Sequence, residues 1–335
     1  MKKYLFSPGP VKSKQTVEIN YHHRSNTFKN LYAEKCNIIK AEYFTNDYDV
    51  LLTQGSGTSA IEVALNGYLS GGNADHTKYV LVLTNGSFGH RLYDICKTIP
   101  GKIVTMPVQS VDEALHVLQS STVPFDVFCG VAFETSSSTY NNLHNIAEYC
   151  NNKGIITIID MVSALGYYAP PYNATAVCSS TAKVLRGLPV LGIVAYRKDS
   201  KPLIGSSGYY LNMKRYIESK KDCQTPHTSM IPQLQSINSA NFFDRECIDA
   251  NCEALSVIDS TTCFTLLGER YAPVLTFKFS DKALMKRVIK ALKKNNMEIY
   301  FNSVYMKDKF QIGMFGHNKK AYKKLNKIIK KICRK

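Results

Sequence analysis

Asp160 and Lys183 are the two side chains whose types and placement point to covalent chemistry. Asp160 closes the run Ile155-Ile156-Thr157-Ile158-Ile159, which is short, β-branched and preceded by Gly154. That pattern reads as a buried strand of a parallel sheet. A second strand around Ala176 to Cys178 ends at Ser179-Ser180. Lys183 follows it, with another buried strand, Gly192 to Tyr196, close behind. Open α/β sheets bind ligands outside the carboxyl ends of their strands. A lysine and a carboxylate at neighbouring strand ends are what a pyridoxal phosphate site needs. The amine forms a Schiff base, and the acid keeps a pyridine nitrogen protonated so that the ring accepts electrons. Taken singly, an Asp after a strand is more often a helix cap, and one Lys among 42 basic residues is usually solvated. What lies upstream shifts the balance.

Upstream, a strand from Val50 to Thr53 runs into Gln54-Gly55-Ser56-Gly57-Thr58 and then a helix bearing Ala60, Ile61, Ala64 and Leu65. Glycines at such a turn let backbone N–H groups converge, and the helix N-terminus adds partial positive charge, so the segment reads as a phosphate cradle. It has neither the dinucleotide spacing nor the Gly-Lys of a Walker loop. Phe88 stands between Gly86 and Gly89 at another strand-to-helix corner, where an aromatic ring either caps the core or stacks on a planar ligand. The strand VFCGVAF ends at Glu134-Thr135-Ser136-Ser137-Ser138. His22, His23 and Arg24 precede a helix that starts near Ser25, a setting for surface polarity or for anion capture.

These residues need a scaffold, and the pattern supplies one. Residues 1–14 read as an extended arm, because Pro8 and Pro10 forbid a helix. The first helix has Phe28, Leu31, Tyr32 and Ile38 as its apolar stripe. Strands alternate with helices through Arg197, which predicts an α/β, mainly parallel, doubly wound sheet in a large domain, residues 15–260. Beyond it, the strand PVLTFKF, the helix DKALMKRVIKALKKN, the strands MEIYF and DKFQIGMF and a final helix predict a small α+β domain, residues 261–335. In the last helix Tyr322, Leu325, Ile328, Ile329 and Ile332 recur at helical spacing among lysines. It reads as a docked amphipathic helix with a solvated basic face.

The chain has 335 residues, 44% hydrophobic and 20% charged, the composition of a soluble globular protein with room for two cores. No apolar run is long enough for a transmembrane helix, and the start lacks the apolar stretch of a signal peptide, so no membrane association and a cytoplasmic location are expected. Ten cysteines without paired spacing read as free thiols, and no metal site is expected. The net charge of +16 invites a nucleic-acid partner. No zinc-finger, RNP or helix-turn-helix signature accompanies it, so no nucleic-acid role is expected, although charge alone attracts polyanions weakly.

The segments SPGPV, HHRSNTF, LLTQGSGTSAIE, TNGSFGHRL, FETSSS, IIDMVSALG, SSTAKVLRGLPVLG, TPHTSMIPQL and FQIGMFG, in this order, give a resemblance that spans nearly the whole chain. The sequence resembles the class V aminotransferases of pyridoxal phosphate fold type I, most of all their 2-aminoethylphosphonate–pyruvate transaminase branch. The resemblance implies that Lys183 carries the cofactor and shuttles the proton, and that Asp160 pairs with the pyridinium nitrogen. It implies ring contacts from Phe88 and Val162 on opposite faces, and a hydrogen bond to the ring hydroxyl from Thr135. The phosphate would be held by Ser56, Gly57, Thr58 and Ser180, joined by Thr225 of a second subunit, which makes a homodimer expected. The sequence departs from the family at Ser138 and Asn142, where glycine and proline are usual. Gln311 stands where the family has an arginine that grips the substrate's acidic group. Arg186 occupies a position that is more often neutral, and Arg24, with His23 beside it, is the better substitute cation.

The expected activity is therefore transfer of an amino group from a small amine or amino acid, of the 2-aminoethylphosphonate kind, to a 2-oxo acid such as pyruvate. Phosphoserine or serine transamination and a lyase reaction stay open, since the shape of the site rather than the cofactor selects among them. A binding protein that keeps the fold without turnover is the alternative of a different class.

Overall fold

A computed structural model describes residues 4–6, 20–70, 76–202, 208–228, 230–255, 263–301 and 308–333. The chain begins with β1 (Tyr4–Leu5), α1 (Asn26–Tyr43), β2 (Tyr48–Gln54), α2 (Gly57–Leu69), β3 (Lys78–Leu83), α3 (Ser87–Thr98), β4 (Ile103–Val108) and α4 (Val111–Ser120). It continues through β5 (Val127–Val131), β6 (Phe133–Glu134), β7 (Thr139–Tyr140), α5 (His144–Lys153), β8 (Ile156–Asp160), β9 (Ala176–Ser180) and β10 (Leu191–Arg197). After these come α6 (Met213–Lys220), α7 (Ile231–Gln235) and α8 (Arg245–Ala254). The last stretch holds β11 (Phe264–Leu267), β12 (Val274–Phe279), α9 (Lys282–Lys294), β13 (Met297–Glu298), β14 (Tyr300–Phe301), β15 (Lys309–Gly313) and α10 (Lys319–Cys333).

Seven strands form the large sheet in the order β2-β10-β9-β8-β5-β3-β4. The pairs from β9 to β4 are parallel, whereas β10 runs antiparallel to both β2 and β9. Both faces of the sheet are covered. Leu52, Leu81, Leu83 and Ile159 point into one apolar layer with Phe28, Tyr32 and Ile146, while Leu51, Val80, Val82 and Ile158 point into the other with Ile61 and Leu92. Burial on two faces is why these strands read as continuous apolar runs. Each such fully buried Leu or Ile contributes roughly 2 kcal/mol.

The first helix is capped by Ser25, whose hydroxyl accepts from the Phe28 amide at 3.1 Å. Its fully buried line is Phe28, Tyr32, Cys36 and Ile39, with Leu31 and Ile38 only half-buried. The stripe is thus turned by about one residue from the expected one, because this helix packs on β2 and on α7.

The four-stranded antiparallel sheet β11-β12-β15-β14 carries α9 and α10. Phe264, Phe277, Phe279 and Phe310 pack against one another there, with Phe277 and Phe310 stacked at 4.9 Å. The segment read as one strand, MEIYF, divides at Ile299. β13 pairs in parallel with β1, and β14 pairs with β15. The Tyr4 and Phe6 amides donate to the Asn296 and Glu298 carbonyls, each at 2.7 Å, so the described part of the arm is bound to this unit. Residues 7–14 of the arm and the 260/261 boundary lie outside the described residues. α8 packs on α10, and the Asn251 side chain donates to the Met314 carbonyl at 2.8 Å.

Candidate active site

A cavity of about 280 Å³ opens at the carboxyl ends of β8 and β9. Its walls include Ser56, Gly57, Thr58, Phe88, Asp160, Val162, Ser180 and Lys183, eight of the residues singled out in the sequence. Each arrives by a local rule. Ser56 precedes the first turn of α2 in an extended conformation, but its hydroxyl makes no capping hydrogen bond. The Gly57 and Thr58 amides of the first turn are therefore left to serve an anion. Gly57 is required by packing, since a Cβ there would come within 2.3 Å of Val162 Cγ2. Asp160 ends β8 and sits beside Cys178 of β9 in register. Its Oδ1 accepts from the Val162 amide at 2.8 Å, which aims the carboxylate and the Val162 side chain together.

Burial pushes the Asp160 carboxyl up to about 6, and the nearby Glu134 carboxylate adds to the shift. The Val162 amide, Arg91 and Lys183 act in the opposite direction. Lys183 lies on the tight turn after β9, where the Arg186 amide donates to its carbonyl at 3.0 Å. Burial lowers its ammonium to about 8, Asp160 opposes this and Arg91 adds to it. Near neutral pH the pair is carboxylate and ammonium, and the amine becomes a free nucleophile about one pH unit higher.

Two functional candidates were missed in the sequence. Arg91 lines the cavity, with its guanidinium 4.7 Å from the Phe88 ring centre. It lies three residues after Phe88 on α3, a spacing that puts both on one face and that TNGSFGHRL already contained. Glu134 is fully buried. Its Oε2 accepts from the Phe88 and Gly89 amides at 3.0 Å each, and its Oε1 accepts from the amide and hydroxyl of Ser136 at 2.9 and 2.6 Å. It caps α3 from another strand, where the helix's own Gly86 has no side chain to do so. A Cβ at residue 86 would lie 2.3 Å from Glu134 Cδ. The sequence signal was an acid at a strand end, the same one that marked Asp160.

Other expected site residues are not in the cavity walls. Thr135 is buried, and its carbonyl accepts from Gln311 Nε2 at 2.6 Å and from the Thr276 hydroxyl. Gln311 also donates to Thr276 Oγ1 at 3.1 Å, so its amide is spent inside the seam between the two sheets. Ser138 adopts φ +52°, the left-handed region that favours the glycine usual there. Its hydroxyl donates to the Val274 carbonyl and accepts from the Thr276 amide, which ties the turn to β12. Arg24 is exposed and donates to the Gln224 side chain and the Thr225 carbonyl. His23 beside it is held below the ordinary imidazole range by partial burial, Arg24 and His22. Arg186, at φ +54°, stacks on Phe243 at 4.5 Å. Thr225 is buried, and its hydroxyl donates to the His227 carbonyl at 2.8 Å. None of the ten cysteines is in a disulfide, and the described residues contain neither a metal-binding cluster nor a helix able to cross a membrane.

No family model matches the chain. An uncharacterized aminotransferase of Methanocaldococcus jannaschii is 26% identical over 260 residues, 72% of this chain and 65% of its own. A 2-aminoethylphosphonate–pyruvate transaminase of Pseudomonas fluorescens is 28% identical over 254 residues, 69% of this chain and 66% of its own. The chain thus spans just under two thirds of the length of these relatives. The fold superposes on a subgroup IV aspartate aminotransferase of Thermus thermophilus with a TM-score of 0.81 at 18% identity, covering 99% of both chains. The sequence relatives are aminotransferases, and the chain shares the fold of solved aminotransferases of pyridoxal phosphate fold type I. Pyridoxal phosphate suits the cavity: an uncapped helix start with a glycine that only a missing Cβ permits, an acid, and a lysine of lowered basicity share its walls.

Proposed function

We propose that this chain is a transaminase that moves an amino group from a small amine or amino acid, of the 2-aminoethylphosphonate kind, to a 2-oxo acid such as pyruvate. The observation that carries the reading is the presence of Lys183 and Asp160 on the walls of one cavity with the start of α2. When bound there, pyridoxal phosphate supplies an electron sink for the substrate's α-carbon. Lys183 would hold the cofactor and carry the proton between its atoms and the substrate's. Asp160 would keep the pyridine nitrogen protonated. The amides of Gly57 and Thr58, with the Ser56 and Ser180 hydroxyls, hold the phosphate. Phe88 and Val162 would flank the ring, and Thr135, buried just outside the cavity walls, is proposed as the partner of its hydroxyl.

Assembly as a homodimer belongs to the same reading, with Thr225 of a second copy completing the phosphate site. The solvent-facing Val190, Tyr209 and Tyr210 support it. The Val190 carbonyl accepts from the Gly55 amide, and the Tyr210 hydroxyl meets Gln54, so this exposed apolar group borders the cavity. A large unit of 15–260 and a small one of 261–335 complete the proposed organisation.

For the substrate's acidic group the cation in place is Arg91, since Gln311, Arg24, His23 and Arg186 are outside the cavity walls. A charge-assisted hydrogen bond contributes about 1.5–3 kcal/mol, or roughly ten- to hundredfold in binding. The test is single-turnover conversion, followed by cofactor absorbance, with aminoethylphosphonate, phosphoethanolamine, phosphoserine, serine and alanine. Acidic donors should react best in the wild type and lose ten- to hundredfold in Arg91→Gln, with uncharged amines unaffected. Absence of any conversion with pyridoxal phosphate bound would sink the activity. Equal losses for charged and uncharged donors would sink the role of Arg91.

A further inference from the structure

The positive charge of this protein is concentrated in one stretch of the sequence. Residues 278–335 hold 18 of the 42 basic residues and 3 of the 26 acidic ones, which leaves residues 1–277 close to neutral. α9 and α10 lie side by side. α9 turns Leu284, Val288 and Leu292 inward, and α10 turns Ala321, Tyr322, Leu325 and Ile329 inward. Their six and seven basic residues are all exposed, and neither helix contains an acid. Among the described residues one of these cations, Lys319, is paired with a carboxylate, Glu253 at 3.3 Å. The spacing sharpens the point. Lys282, Lys286, Lys290 and Lys294 form one row at four-residue steps, and Lys319, Lys323, Lys327 and Lys331 form another. Like charges at that spacing repel and destabilise a helix. These rows therefore cost folding energy that an opposite charge outside the molecule would relieve.

Each row is about 18 Å long at 1.5 Å per residue, which matches about five base-pair steps of a duplex. A membrane surface fits less well, because surface-binding helices bury an apolar face in lipid, and here both apolar faces are inside the core. None of the exposed large apolar residues lies on either helix. We propose that the outer face of α9 and α10 binds nucleic acid through its phosphate backbone, without reading bases. The expectation of backbone contact follows from the side chains: twelve of the thirteen cations are lysines, flexible point charges suited to phosphates. The sequence alone pointed away from such a partner because each helix reads there as an ordinary amphipathic one. Only their apposition makes a two-row surface.

The experiment is fluorescence anisotropy of the cofactor-loaded 335-residue chain with a labelled 20-base-pair duplex of mixed sequence. Contact with four phosphates predicts roughly a hundredfold weaker binding at 200 mM than at 50 mM salt. Lys319→Gln, Lys323→Gln, Lys327→Gln and Lys331→Gln together should weaken binding at least tenfold and flatten the salt slope, with cofactor absorbance unchanged. A control with the same loss of charge elsewhere, Lys97→Gln, Lys102→Gln, Lys153→Gln and Lys221→Gln, should stay within twofold of the wild type. Equal losses in the two sets would overturn the proposal in favour of bulk charge. No duplex binding at 50 mM salt would overturn it as well, and vesicles with 30% phosphatidylserine then show whether a membrane surface is the partner instead.

Discussion

Two polar clusters adjoin at the carboxyl end of the large sheet, and they are built oppositely. In the seam around Glu134, Thr135, Ser138, Thr276 and Gln311, polar atoms are buried and bonded to one another or to backbone. Around the cavity, Ser56, Asp160, Arg91 and Lys183 border open volume, and burial moves Asp160 and Lys183 from their ordinary pKa values. A satisfied buried network holds two elements at one distance. Polar groups turned toward a cavity, with perturbed acidity, are available to a ligand. The contrast separates residues bonded into the fold from residues that face open volume, and substitutions can test it.

Lys183→Ala should have the largest effect. Turnover and the visible absorbance of the attached cofactor should vanish while the circular dichroism stays native, because among the described residues no other lysine is in the cavity wall. Borohydride reduction and peptide mapping of the wild type give the direct check, and label on another lysine would reassign the role.

Asp160→Asn comes next. A neutral amide cannot hold the pyridine nitrogen protonated, so single-turnover rates should fall at least a hundredfold with the fold intact. Near-normal rates in this variant would mean that another acid does the work.

Glu134→Ala acts from the seam. Four hydrogen bonds converge on this carboxylate, and buried amides left without partners cost about 1–3 kcal/mol each, partly offset by entering water. Denaturant unfolding should show a loss of roughly 3 kcal/mol, and cofactor affinity should weaken through the freed start of α3. A stable variant with unchanged cofactor binding would show that the cap does not position Phe88.

Gln311→Leu should lower stability by about 1–2 kcal/mol and leave the order of substrate preference unchanged, since its amide serves Thr135 and Thr276. A selective change toward uncharged donors would return Gln311 to the substrate site.

The smallest effect is a shape. The attacking form of Lys183 is the neutral amine, whose fraction rises tenfold per pH unit until the pH reaches the group's own pKa. With that pKa lowered to about 8, the rate of pyridoxal phosphate uptake should climb from pH 6 and level off near 8. A rate still rising at pH 10 would mean an ordinary lysine.

The sequence determined the parallel sheet, because two-sided burial forces unbroken apolar strands, and it located Asp160, Lys183 and the Gly55–Thr58 turn at their ends. Those signals are local: a strand, its last residue, the next turn. Tertiary structure decided what depends on elements distant in the chain. Gln311 reads as a substrate ligand by position, yet the pairing of β12 with β15 spends its amide on Thr135, 176 residues away. Arg91 drew no reading from the sequence, and α3, capped by Glu134 from β6, brings it to the cavity. The lysines of α9 and α10 become one surface only because the two apolar faces share a core. Periodicity shows which face of an element is buried, and it carries no information about which other face lies beside it.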